Sequence, residues 1–127
     1  MANNVTPGCA EEVLDRKTAL ARVDGDGEIM CSLIDIFLEQ IGGMMDAIRE
    51  AIKSGNADQL EKSAHRLKGS ISIFSAETAT QVAFELEKTG CSGDLQHASE
   101  TLARLEQQIT LFKPALENFR KELQPRS

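Results

Sequence analysis

Apolar residues recur at helical spacing along most of the chain. From about Gly27 to Ser54, the residues Met30, Leu33, Ile34, Phe37, Ile41, Met44, Met45, Ile48 and Ile52 fall on one stripe at i, i+3, i+4 intervals. The pattern predicts one long helix, and it continues on both sides of Gly42-Gly43, so the pair should be absorbed at a cost of about 1 kcal/mol per Gly. A short helix is expected before it, Glu11 to Ala21. Asp24-Gly25-Asp26-Gly27-Glu28 suggests a calcium loop at first sight, but the sixth position from Asp24 is Ile29 where such a loop needs Gly. The segment reads instead as a turn in which Asp26 caps the long helix.

Gly55 suits the end of that helix, and Asn56 suits the start of the next, with Gln59 three residues on. A third helix is expected from about Ala57 to Phe74. Ser75 should cap a fourth, Ala76 to Thr89, which Gly90 ends. Ser92-Gly93-Asp94 should start a fifth, whose stripe is Leu95, Ala98, Leu102, Leu105, Ile109, Phe112, Leu116, Phe119 and Leu123. Pro114 lies inside it and should kink or interrupt it. No stretch alternates with the period of a strand. The predicted fold is all-α: an up-down four-helix bundle over residues 11–124, with a short extra N-terminal helix and a long, Pro-interrupted C-terminal helix. Residues 1–10 read as a flexible tail. Ile29 and Ile36 lie off the main stripe and are expected to pack under the N-terminal helix, a docking patch being the alternative. Met44-Met45 reads as core filler.

Composition narrows the function. The chain has 127 residues, 41% apolar, with aromatics at only 4% and neither Trp nor Tyr. A core of Leu, Ile, Ala and Met agrees with helix packing. The formal net charge of −6 argues against sequence-independent binding to nucleic acid or to an anionic membrane. Met1–Ala10 is polar and lacks the apolar centre of a signal peptide. No apolar run approaches the roughly 20 residues of a membrane span. Cys9, Cys31 and Cys91 make no C-x-x-C and no metal set with His65 and His97; they read as reduced thiols, and His97 as exposed and inert. No metal or cofactor site is expected, and no Gly-rich phosphate loop is present to bind ATP. The location expected is cytoplasmic.

One run carries chemistry. In AHRLKGS, residues 64–70, His65 is followed by Lys68, Gly69 and Ser70. On a wheel of about 100° per residue, Leu60, Ala64, Leu67, Ile71 and Phe74 form the core side. Glu61, His65, Lys68, Gly69 and Ser72 form a neighbouring strip. A histidine on that strip is off the core, with a cation and a side-chain-free position one turn along. Imidazole with an unperturbed pKa of about 6.5 is substantially neutral and nucleophilic near neutral pH. Phosphoryl transfer to it needs positioning and charge neutralisation, which Lys68 can supply. Gly69 leaves room for a partner, Ser72 lies on the same strip, and Lys62 sits at its edge. Taken alone, H-x-x-K-G also fits a surface histidine with no chemistry.

The stretch resembles the histidine phosphotransfer (HPt) domain of bacterial multistep phosphorelays. The resemblance rests on AHRLKGS at 64–70 and LEKTG at 86–90. It is supported upstream by Ala19-Leu20-Ala21-Arg22, Gly25-Asp26, Phe37, Ala51-Ile52 and Gly55-Asn56. It spans nearly all of residues 11–110. It implies a phosphorelay intermediate, not an enzyme with its own substrate. His65 would accept a phosphoryl group from a receiver aspartate and pass it to another, with Lys68 assisting and Gly69 opening the docking face. It implies that Glu87 orients the imidazole. It also implies receiver domains of response regulators and of a hybrid histidine kinase as partners, Mg2+ on the receiver alone, and a monomeric carrier. The family usually has Gly at the position of Ser75. Two rivals share these residues: the phosphoacceptor domain of a chemotaxis-type histidine kinase, phosphorylated from ATP by a separate catalytic domain, and a helical adaptor that is never phosphorylated. The dimerisation domain of an ordinary sensor kinase fits less well, because Arg66 stands where an acidic residue usually follows the histidine.

Overall fold

The structure, a computed structural model, describes residues 13–123. The expected tail 1–10, Cys9 and the expected helix start at Glu11 lie outside these residues. Five helices follow in order: α1 Arg16–Ala21, α2 Gly27–Ser54, α3 Ala57–Ser72, α4 Glu77–Ser92 and α5 Ala98–Leu123. No strand is present among the described residues, and no helix there is long and apolar enough to cross a membrane. The long helices pack in a ring, α2 on α3, α3 on α4, α4 on α5 and α5 back on α2, the arrangement of a four-helix bundle.

The predicted stripes are the core. Met30, Ile34, Phe37, Ile41 and Ile48 from α2 meet Leu60, Ala64, Leu67 and Ile71 from α3, Val82 and Leu86 from α4, and Leu105, Ile109, Phe112, Leu116 and Phe119 from α5, all buried. Met44 and Met45 are buried with them. Phe37, Phe74 and Phe112 form a triangle of edge-on rings, with centroids 5.3 to 5.9 Å apart, which joins α2, the end of α3 and α5. Two ion pairs on the surface also tie α2 to α5: Arg120 to Asp35 at 2.7 Å and Arg49 to Glu106 at 2.9 Å.

α2 runs from Gly27 to Ser54 as its periodicity required. The Asp26 carboxylate accepts from the N–H groups of Glu28 and Ile29. At the far end Gly55 takes φ +71°; its N–H reaches the carbonyl of Ile52, and that of Asn56 reaches Ala51. These two bonds satisfy the last carbonyls in a Schellman turn. Asn56 in turn caps α3 by accepting from Gln59 N–H.

Elsewhere the boundaries differ from expectation, each for a local reason. α1 starts at Arg16, because Asp15 adopts an extended conformation and its side chain accepts from Thr18 N–H. α3 ends at Ser72, although Phe74 stays buried in the turn that follows. Ser75 does not cap α4. It takes φ +56°, Ala76 occupies the N-cap position without a side-chain bond, and Ser75 Oγ instead accepts from Arg22 Nε at 3.2 Å. The Asp15 N–H donates to the Ser75 carbonyl, so this turn anchors the N-terminal segment.

Gly90 does not end α4, which runs on to Ser92 and closes at Gly93 with φ +81°. α5 starts at Ala98, after a turn in which the Asp94 carboxylate accepts from Gln96 N–H. Pro114 lies inside α5 without interrupting it. It is exposed, so the hydrogen bond its missing N–H forgoes is on the water side, while Phe112 and Leu116 stay buried beside it. Ile29 and Ile36 are exposed rather than packed under the N-terminal helix. The six-residue α1 sinks only Ala19 fully and does not cover them.

Gly90 has a packing role. A Cβ there would lie 2.5 Å from Glu61 N and 2.8 Å from Ala57 O, both backbone atoms of α3. Gly42 and Gly43 have nothing within 4 Å of the corresponding position. Gly90→Ala should therefore destabilise the fold by about 3 kcal/mol, whereas Gly42→Ala or Gly43→Ala should stabilise it by up to about 1 kcal/mol each. Ser75→Gly should also stabilise, by about 0.5–1 kcal/mol, because relief of the left-handed strain outweighs one exposed hydrogen bond. Urea denaturation of the four variants checks all of these.

Candidate functional site

α3 and α4 are antiparallel and meet in successive rungs. The first is the close contact of Gly90 with Glu61. One turn along, Glu87 reaches His65. One turn further, Phe84 reaches Lys68. The core stripe of α3, Leu60, Ala64, Leu67 and Ile71, fixes the rotation of that helix. His65 is thereby turned outward, with 67% of its side chain exposed. Its backbone lies mid-helix, so the imidazole stands on a rigid element.

Glu87 is the centre of the site. Its Oε2 lies 2.9 Å from His65 Nδ1 and its Oε1 lies 2.7 Å from Lys68 Nζ. The side chain is only 18% exposed. The Lys68 ammonium holds the Glu87 carboxyl below its usual range; partial burial opposes this, and the bond to His65 adds to it. Oε1 makes its contact with Lys68 as an ion pair, without the alignment of a good hydrogen bond.

An ionised carboxylate only accepts hydrogen bonds. Nδ1 of His65 must therefore be the donor. In the neutral ring that leaves Nε2 with the free lone pair, on the outer side of the imidazole. The arrangement fixes the tautomer and aims a nucleophilic nitrogen at solvent, with an ammonium on the same carboxylate.

The other residues singled out in the sequence fall as follows. Gly69 is exposed, and a Cβ there would have no neighbour within 4 Å, so the surface beside His65 is open. Ser72 is half-buried and its Oγ donates to the Gly69 carbonyl at 2.8 Å. Lys62 does not join the cluster: its ammonium pairs with Asp58 at 3.1 Å on the exposed face. His97 is exposed, 3.7 Å from Glu100. Cys31 is buried and Cys91 exposed. Among the described residues, no group of three or more His, Cys, Asp or Glu side chains is gathered as metal ligands.

Phe84 was not anticipated. It is 37% exposed, off the buried stripe of Ala79, Val82, Ala83 and Leu86. The ammonium groups of Lys68 and Lys88 lie 4.8 and 4.9 Å from its ring centroid. The sequence did hold a signal: once His65 is paired with Glu87, antiparallel register places Phe84 opposite Lys68.

Comparison with known proteins gives a consistent result. The family model of the Hpt domain matches residues 32–115. No curated protein sequence matches the chain. Among solved structures the chain is similar to histidine-containing phosphotransfer protein B from Pseudomonas aeruginosa. The TM-score is 0.75 and the identity 24%, over 90% of this chain and 96% of that one. At that identity the likeness is one of fold.

Because the stability that Glu87 contributes depends on its charge, it is pH-dependent. A carboxyl lowered in the folded state contributes fully above its ordinary value of 4.5, and the contribution is lost as pH falls from there through the lowered value. Glu87→Gln should cost about 1 kcal/mol at pH 7, and the gap to the unsubstituted protein should be smaller at pH 3, below the ordinary carboxyl value. Urea unfolding at the two pH values measures it.

Proposed function

The chain belongs to the Hpt domain family, the histidine phosphotransfer modules of phosphorelays, and we propose that Nε2 of His65 is the atom that carries its phosphoryl group. The observation that carries this reading is the 2.9 Å bond between His65 Nδ1 and a carboxylate whose other oxygen holds Lys68. A donor aspartyl phosphate on a receiver domain brings the phosphorus in line with the Nε2 lone pair. The bond from phosphorus to the aspartate oxygen breaks as the Nε2–phosphorus bond forms, and the carboxylate leaves with the electron pair. The ring becomes a phospho-imidazolium. Nδ1 keeps its proton and donates it to Glu87 in a hydrogen bond, and the carboxylate offsets the positive charge that develops on the ring.

Lys68 is the residue we assign to the transferred group. Its ammonium is a compact charge on a flexible stem, and a short swing from Glu87 takes it to the phosphoryl oxygens. Transfer onward to a second receiver aspartate is the same step reversed. Gly69 leaves space for the receiver's edge, and Ser72 and Lys62 line the approach along α3. We assign the partners as receiver domains of response regulators and of a hybrid histidine kinase, with the Mg2+ of the reaction on the receiver. The carrier acts as a monomer in the cytoplasm and turns over no substrate of its own.

The test is transfer from a panel of radiolabelled phospho-receivers. The chain should acquire acid-labile, base-stable label, and His65→Gln should acquire none. Lys68→Ala should keep the label but acquire it about tenfold more slowly. Equal labelling of His65→Gln would reject the assignment.

A further inference from the structure

Phe84 is a large ring left partly in water beside the most reactive group of the molecule. The core does not explain it, since the buried residues of α4 lie on another face. Two ammonium groups lie over it. Lys68 Nζ lies 4.8 Å from the ring centroid and Lys88 Nζ, from the next turn of α4, lies 4.9 Å away. An ammonium within about 6 Å of an aromatic centroid is attracted by the negative face of the ring. Lys68 is thus held by two groups of different kind, a carboxylate oxygen at 2.7 Å and an aromatic ring.

The two contacts suit different moments of the reaction. The Glu87 contact is a short ion pair at 2.7 Å, and it must loosen when the ammonium turns to the phosphoryl oxygens. The ring contact is soft and extends across the face of the ring, so it persists while the ammonium moves over that face. A lysine side chain with four rotatable bonds would otherwise spend much of its time extended into solvent. We propose that Phe84 is a positioning residue of the phosphoryl site, whose ring keeps the Lys68 ammonium within reach of the group on His65. Lys88 pins the ring from the neighbouring turn. The proposal rests on the reading of His65 and Lys68 given above, and its test has one arm independent of that reading.

The first arm uses the unphosphorylated protein with isotope-labelled lysine. The protons beside the Lys68 nitrogen should resonate upfield through the ring current of Phe84. Phe84→Leu should abolish that displacement, and Phe84→Trp should retain it. The second arm measures phosphorylation by phosphoramidate, a donor that needs no partner protein: its phosphorus–nitrogen bond breaks, ammonia leaves and the Nε2–phosphorus bond forms. Phe84→Leu should slow this about two- to fivefold, Phe84→Trp should restore it, and in a Lys68→Ala background Phe84→Leu should have no effect. An absent ring-current shift, or a Phe84→Leu rate equal to that of the unsubstituted protein, overturns the proposal. If the unsubstituted chain takes no label, the reading of His65 has failed instead, and the resonance arm alone decides whether Phe84 holds Lys68.

Discussion

The distance between α3 and α4 governs the site. At Gly90 the two backbones come so close that a methyl group would strike Glu61 N and Ala57 O. Nothing but hydrogen fits there. One turn along the same pair of helices, this approach brings a short-range contact between a carboxylate and an imidazole, Glu87 to His65 at 2.9 Å. A wider crossing would leave Glu87 solvated and the imidazole free to rotate. The glycine therefore acts on the His65–Glu87 contact from a distance, by setting the spacing at which side chains of ordinary length meet.

The charge arrangement follows from that spacing. Glu87 is mostly shielded from water, so its charge is costly unless paired, and it is paired twice, to His65 and to Lys68. His65 lies in the middle of α3, where the backbone N–H groups are already committed to the helix. A group on Nε2 would find no main-chain donors, in contrast to one bound at a helix N-terminus. Positive charge for such a group would have to come from side chains, and the Lys68 and Lys88 ammonium groups both lie near the Phe84 ring.

The sequence was legible where one periodicity decided the matter. The stripe of α2 and its caps, Asp26, Gly55 and Asn56, lie where spacing and residue type placed them. The outward position of His65 followed from the wheel, because the Leu60–Ile71 stripe leaves one orientation for the rest of α3. Legibility failed where one residue type serves two purposes. A glycine that ends a helix and a glycine that admits a neighbouring backbone look alike in the sequence, so Gly90 reads there as the terminator that Gly93 supplies. Ser75 has the composition of a cap but the backbone of a left-handed turn. Glu87 is singled out by the family resemblance alone, and Phe84 is marked only by the register between two helices.

His65 offers one outward nitrogen with one lone pair, on a ridge and not in a channel. Such a site has no entrance and exit. Donor and acceptor would have to use the same face in turn, each leaving before the other arrives. Traffic through the molecule would then obey the arithmetic of a queue with a single server: direction set by which partner is loaded, throughput by how quickly each departs, and crowding by either one felt at once by the other.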